Sequence, residues 1–247
     1  MRDLALLRSP LAARGKGLYE SLYLTATDPA GGRALWLRHT WLKRPGEDPR
    51  PQLWITWWGP SLLALRGPGT AELGPTSTVG TLDGHVWDLA WQPSAGPLSY
   101  LPGPLLDRAR SNGAALVPHG TARGTFDSHD LTGWHVVVGH NWGAEHAPAW
   151  TWAHGAAGDT WFDLLRVRPF AHLPWLTVAT VHVDGTTHRS RRPLDLQLSP
   201  REEVHWDYES PTGRPRQVRN CSVADARLTY RGVTHTFTGT AVVEHGA

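Results

Sequence analysis

Residues 17–42 read GLYESLYLTATDPAGGRALWLRHTWL, and the order of apolar and polar side chains within them decides the fold. Leu18, Glu20, Leu22 and Leu24 fall on one side of an extended chain, and Tyr19, Ser21, Tyr23 and Thr25 on the other, because strand side chains alternate. DPAGG then supplies a turn and RALWLRHTWL returns, which makes a hairpin. The rest of the chain keeps this rhythm. Twenty Pro and 26 Gly punctuate short runs rich in Val, Thr, Leu and Trp, among them GHVWDLAW (84–91), GWHVVVGHNWG (133–143), APAWTWAHG (147–155) and DTWFDLLRV (159–167). Asp83-Gly84 reads as a hairpin turn, and Arg231-Gly232 as the turn of a terminal hairpin.

Helical spacing is confined to 2–9 and 104–111, two turns at most in each. The stretch 92–125, with Pro93, Pro97, Pro102, Pro104 and Pro118, is the least regular and reads as a connector between two sets of strands. Strands at this density must close or stack to protect their edges. The expectation is therefore an N-terminal barrel plus connector over 1–126 and a C-terminal barrel over 127–247, with a single sandwich as the alternative.

The chain has 247 residues, 40% of them hydrophobic, enough to bury a sizeable core. Net charge is +2, and the basic residues, all Arg except Lys16 and Lys43, are scattered. That is no nucleic-acid footprint. The basic run HRSRRP (188–193) reads as a solvated turn rather than a phosphate site. Cys221 is the sole cysteine, so neither a disulfide within the chain nor a multi-cysteine zinc site is expected, and it reads as a small buried residue. The opening MRDLALLRSPLAARG holds a four-residue apolar run, too short for a secretory core or a membrane span. A cytoplasmic location follows as the expectation, and Asn220-Cys221-Ser222 then reads as a chance sequon. No G-x-S-x-G elbow, Walker loop or dinucleotide fingerprint occurs.

At GHVWDLAW, followed by GWHVVVGHNWGAEHAPAWTWAHG, the chain resembles the lipocalin-like tandem β-barrel superfamily of carotenoid hydratases, tocopherol cyclases and decalin-forming, Diels–Alderase-type cyclases. The likeness is to a bacterial branch with an HNWG…EHA…W…W.HG motif, and YESLYL (19–24) and LWLRHT (35–40) extend it. The resemblance implies an all-β fold of two lipocalin-like (calycin-type) antiparallel β-barrels packed together. Because the chain is shorter than most relatives, the N-terminal barrel is expected to be the trimmed one. It also implies a ligand cavity at the end of one barrel and between the two, beside HNWG, and a hydrophobic partner: a polyene, terpenoid or polyketide-derived small molecule, cyclised or hydrated without a cofactor.

The segment 139–154 packs three His and three Trp into sixteen residues. On a strand, Trp150, Trp152 and His154 share a face, as do Trp134, Val136, Val138 and His140 in the strand before. Antiparallel pairing of these two strands would set an indole wall beside two imidazoles, and indole faces stabilise a cation by ~0.5–2 kcal/mol per contact. Protonating an alkene needs an acid in such a cage. Glu20, Asp88, Glu145 and Asp163 are carboxylates embedded in aromatic or apolar strands, where burial raises the pKa. Glu145 is the first choice of acid, with His140, His154 and Glu20 as further catalytic candidates. Asn141, Trp142, His146, Trp150, Trp152, Trp87 and Arg38 are the candidate ligand contacts. Each has a structural reading beside it: Trp as core filler, Asn141 in a turn or bulge, and Arg38 with Glu20 as a buried pair that specifies the fold. No metal is expected, because His140, His146 and His154 lack short fixed spacing. A non-catalytic carrier and a metalloenzyme built on those three histidines are the alternative functions.

Overall fold

The computed structural model describes residues 17–101, 110–213 and 216–247, with side chains throughout except at 216, 217 and 219–223. The stretch 2–9, all of 104–109 and the side chain of Cys221 lie outside that set. The described residues form two antiparallel sheets. The first contains β1 (Leu18–Thr27), β2 (Ala34–Lys43), β3 (Arg50–Trp58), β4 (Leu63–Gly67), β5 (Thr70–Leu73), β6 (Ser77–Leu82), β7 (His85–Pro93), β8 (Leu98–Ser99), β9 (Ser111–Phe126), β10 (His129–Asp130) and β11 (His135–Gly143). Its order is β4-β3-β2-β1-β11-β9-β7-β6-β5, with β8 and β10 attached to β9. The second contains β12 (Ala149–Ala157), β13 (Thr160–Arg168), β14 (Leu176–Val183), β15 (Thr186–Ser190), β16 (Asp195–Ser199), β17 (Glu202–Tyr208), β18 (Arg216–Tyr230) and β19 (Val233–Gly246). Its order is β15-β14-β13-β12-β19-β18-β16, with β17 attached to β18.

Each sheet curls over its own core. Leu53 and Leu65, from one end of the first strand order, pack with Leu73 and Leu82 from the other end, around Trp57, Trp87 and Phe126. In the second sheet, Val181 and Leu198 likewise join Phe162, Leu228 and Phe237. The outer faces then meet in a seam where Tyr23, Trp36, Trp58 and Val137 of the first half-barrel pack on Trp152, Val204 and Val242 of the second. This is the two-barrel lipocalin-like architecture. The turns at Asp83-Gly84 and Arg231-Gly232 adopt positive φ at both residues, as tight hairpins require.

Three expectations are corrected. The changeover between sheets falls at 144–148 and not at 126/127, because β10 and β11 belong to the first sheet. The second part of the presumed connector, 111–125, belongs to β9, the longest strand among the described residues, in which register shifts against β11 absorb Pro118 as a bulge. β11 also does not pair with β12. Both its edges are taken, by β1 and β9, while β12 lies between β13 and β19.

Gly139 shows how tightly the seam is seated. It lies opposite Tyr23 in the β1–β11 register, and a Cβ there would come within 2.1 Å of the phenol ring. Gly139→Ala is expected to lower stability by about 1–3 kcal/mol, read as a lower urea midpoint at unchanged slope. A midpoint equal to the parent's would show that the ring is not seated over the glycine.

Candidate functional site

The seam opens into a cavity of about 780 Å³, a volume suited to a small organic molecule. Strand alternation decides what faces it. Tyr19, Ser21 and Tyr23 of β1 project into the cavity, together with Trp36 and Arg38 of β2, while Leu22 and Leu24 turn inward to the first barrel. Across the gap stand Trp150 and Trp152 of β12, Leu165 and Val167 of β13, and Val178 of β14.

Two polar networks are set into these walls. In one, the buried Arg38 guanidinium forms an ion pair with Glu244 of β19. Glu244 also accepts hydrogen bonds from Trp150 Nε1 at 2.8 Å and Tyr208 OH at 3.2 Å. Burial alone would depress the Arg38 pKa, but the adjacent carboxylate raises it and keeps the guanidinium charged. That cation lies 4.5 Å from the Trp36 ring centroid and 5.2 Å from that of Tyr208.

In the other network, Asp163 of β13 accepts the Tyr100 hydroxyl at 2.8 Å and Trp152 Nε1 at 3.1 Å. Burial pushes the Asp163 carboxyl up to about 6 against the pull of those hydrogen bonds. Tyr100 and Tyr23 are raised by burial and by the Asp163 charge, so both remain neutral hydroxyls. Tyr100 lines the cavity and thus joins it to a carboxyl behind the wall.

The structure brings Arg38, Asn141, Glu145, His146, Trp150 and Trp152 together around this cavity and places the other candidates elsewhere. Glu20 and His140 form a buried 2.6 Å hydrogen bond inside the first barrel, where Trp142 stacks on His140 at 4.5 Å. Arg38 does not meet Glu20. Register sets Arg38 opposite Tyr23 and Glu20 opposite Trp41, on opposite faces of the hairpin. Trp87 fills the first core and donates to Thr78. His154 shares a face with Trp152 but lies outside the cavity lining, buried with the rings of Trp152, Trp161 and His119 around it and neither ring nitrogen hydrogen-bonded. Among the described residues no three His, Cys, Asp or Glu side chains converge on a metal position, so His140, His146 and His154 do not form the ligand set of the metalloenzyme alternative.

Glu145 lines the cavity but is a poor proton donor. Burial would raise its pKa, yet hydrogen bonds from Thr212 and Ser210 outweigh it and hold the carboxyl below the usual range. The sequence reading missed Tyr100, Tyr23, Tyr208 and Glu244. Only Glu244 carried a signal, as a carboxylate in the apolar strand TAVVEHG. No helix among the described residues is long and apolar enough to cross a membrane.

The chain matches no known family model, and no curated protein matches its sequence. Several solved structures are similar to it in fold. An AttH-like protein from Nitrosomonas europaea has a TM-score of 0.52 at 11% identity, over 93% of this chain and 92% of that one. Kievitone hydratase from Nectria haematococca has a TM-score of 0.51 at 12% identity, over 94% of this chain and 88% of that one. At such identity the likeness is one of fold.

The buried imidazoles make stability depend on pH. Burial lowers His39 and His119 from 6.5 to about 4, and His154 well below its ordinary value. The unfolded chain therefore takes up protons below pH 6.5 that the folded chain refuses until about pH 4, so the stability present above 6.5 is lost as pH falls through that window. Asp163 acts the opposite way, its contribution being full below 3.8 and lost as pH rises to about 6, but it is one group against the four imidazoles that burial lowers, His135 included. The thermal midpoint should drop from pH 7 to pH 5, and His154→Phe should flatten the slope. A midpoint that is level across that range would contradict the burial of these rings.

Proposed function

We propose that the seam cavity takes up an apolar small molecule, a polyene, terpenoid or polyketide-derived compound, and hydrates or cyclises it without a cofactor. The observation that carries this reading is the Tyr100–Asp163 hydrogen bond in the cavity wall, with the carboxyl pushed up to about 6. Protonated Asp163 donates to the Tyr100 oxygen in place of accepting from it, which turns the Tyr100 hydroxyl to the cavity. The Tyr100 proton then passes to an alkene carbon of the guest as the Asp163 proton moves onto the Tyr100 oxygen. The alkene π pair forms the new C–H bond and leaves a cation on the neighbouring carbon. The faces of Trp36, Trp152 and Tyr23 lie where such a cation is sheltered. Addition of water, with loss of its second proton back to the dyad, gives an alcohol. Attack by a second alkene of the same molecule, followed by proton loss, gives a ring. A carboxyl near pKa 6 is a weak acid towards carbon, which favours a conjugated polyene whose cation is delocalised.

One structure of similar fold is a hydratase by name, which supports the choice of reaction class. The ionised Glu145 favours the carrier reading over any mechanism led by that residue. Native mass spectrometry of protein from its own host is expected to reveal a retained hydrophobic molecule. With that molecule, or a fluorescent polyene, Tyr100→Phe and Asp163→Asn should lose turnover by at least about 100-fold while affinity changes little, and parent turnover should decline as pH rises through about 6. Glu145→Gln should stay active. Full turnover in Asp163→Asn would remove the proposed proton path, and binding without turnover in the parent would leave a carrier.

A further inference from the structure

The connector from β13 to β14 is exposed at every position from 170 to 176. Phe170, Leu173, Trp175 and Leu176 are 45%, 39%, 37% and 49% exposed. Four of the eight large exposed apolar side chains among the described residues thus fall within seven positions, while Leu62, Val79, Val86 and Val233 are scattered. Grouped exposure of this kind marks a surface that meets something apolar. A turn closed by Leu173 N–H on the Phe170 carbonyl at 3.0 Å presents the group.

The apolar lip is continuous with the cavity, because Phe170, Trp175 and Leu176 also line it. It is set in positive charge. Arg166 and Arg168 each place a guanidinium 5.4 Å from the Trp175 ring centroid, and Arg110 and Arg191 line the same opening. None of these four forms an ion pair among the described residues. Glu145, also in the lining, is engaged by Ser210 and Thr212. Aromatic side chains that seat at headgroup level, ringed by arginines, are complementary to an anionic lipid surface.

We infer that the 170–176 lip docks on an anionic bilayer, so that an apolar guest passes from lipid into the cavity without crossing water. The purpose of docking rests on the proposed function, but docking itself is measured without any guest and can stand or fall alone.

The test is flotation with vesicles of equal phosphatidylcholine and phosphatidylglycerol, and with vesicles of phosphatidylcholine alone. The parent should float with the mixed vesicles, less so at high salt, and weakly with phosphatidylcholine. A Phe170→Ser, Trp175→Ser, Leu176→Ser triple variant, confirmed folded by circular dichroism, should lose at least about tenfold in partition, as should Arg166→Gln with Arg168→Gln. Val233→Ser, an exposed apolar position outside the lip, should float as the parent does. Failure of the parent to float overturns the inference, as does a triple variant that floats equally. Equal uptake by both vesicle types, untouched by the arginine changes, overturns the anionic recognition. A parent dimer that the triple variant breaks, with no vesicle binding, would assign the lip to a second copy of the chain.

Discussion

The ion pair between Arg38 and Glu244 is the constraint from which the arrangement of the cavity follows. It joins β2 of one half-barrel to β19 of the other across 206 residues of sequence, with both side chains buried. Removing two charges from water is costly unless the geometry and the remaining hydrogen bonds are satisfied, and leaving either one alone is destabilising by about 3–5 kcal/mol. Any sliding of the barrels would strand a buried charge, so the pair favours one docking position over its neighbours. Trp150 and Tyr208 donate to the same carboxylate and Trp36 lies beneath the guanidinium, so that position also fixes the aromatic wall of the cavity.

Strand β1 explains why a seam of this kind is possible. All ten of its residues are buried, although Glu20, Ser21 and Thr25 are polar. One face supplies Leu22 and Leu24 to the interior of the first barrel, and the other supplies Tyr23 to the packing against Trp152. A strand covered on both faces by protein usually becomes uniformly apolar. Here two of the polar groups find partners within the first half-barrel, Glu20 with His140 and Tyr19 with Ser111, while the Ser21 hydroxyl lines the cavity. The hydroxyls on the seam side then remain as hydrogen-bonding groups facing a largely apolar hollow.

Local structure was legible in the residues because it is locally determined. Alternation marks β1 and β2, and Asp83-Gly84 marks its turn, since positive φ at both centres favours that pair. The cavity-lining part of the central motif, Asn141, Glu145, His146, Trp150 and Trp152, was legible as a group. Strand partners were not. Nothing within 133–154 says that β11 already has both neighbours, one of them more than a hundred residues earlier, so its union with β12 looked natural and was wrong. The same reason hid the partner of Arg38. It also hid the state of Glu145, which depends on hydroxyls at Ser210 and Thr212. Pro118 suggested a break where a bulge absorbs it, because a register shift depends on the facing strand.

That the hollow lies between two separately packed shells, rather than inside either, bears on how such a molecule changes over generations. Among the described residues no strand ladder crosses the gap, and the two interiors are distinct clusters with no residue in common. Exchanges on the facing walls, away from Arg38 and Glu244, can therefore reshape the hollow while leaving both shells intact. A scaffold of this design lets kindred chains share an outline while the hollow between the shells differs in shape and polarity.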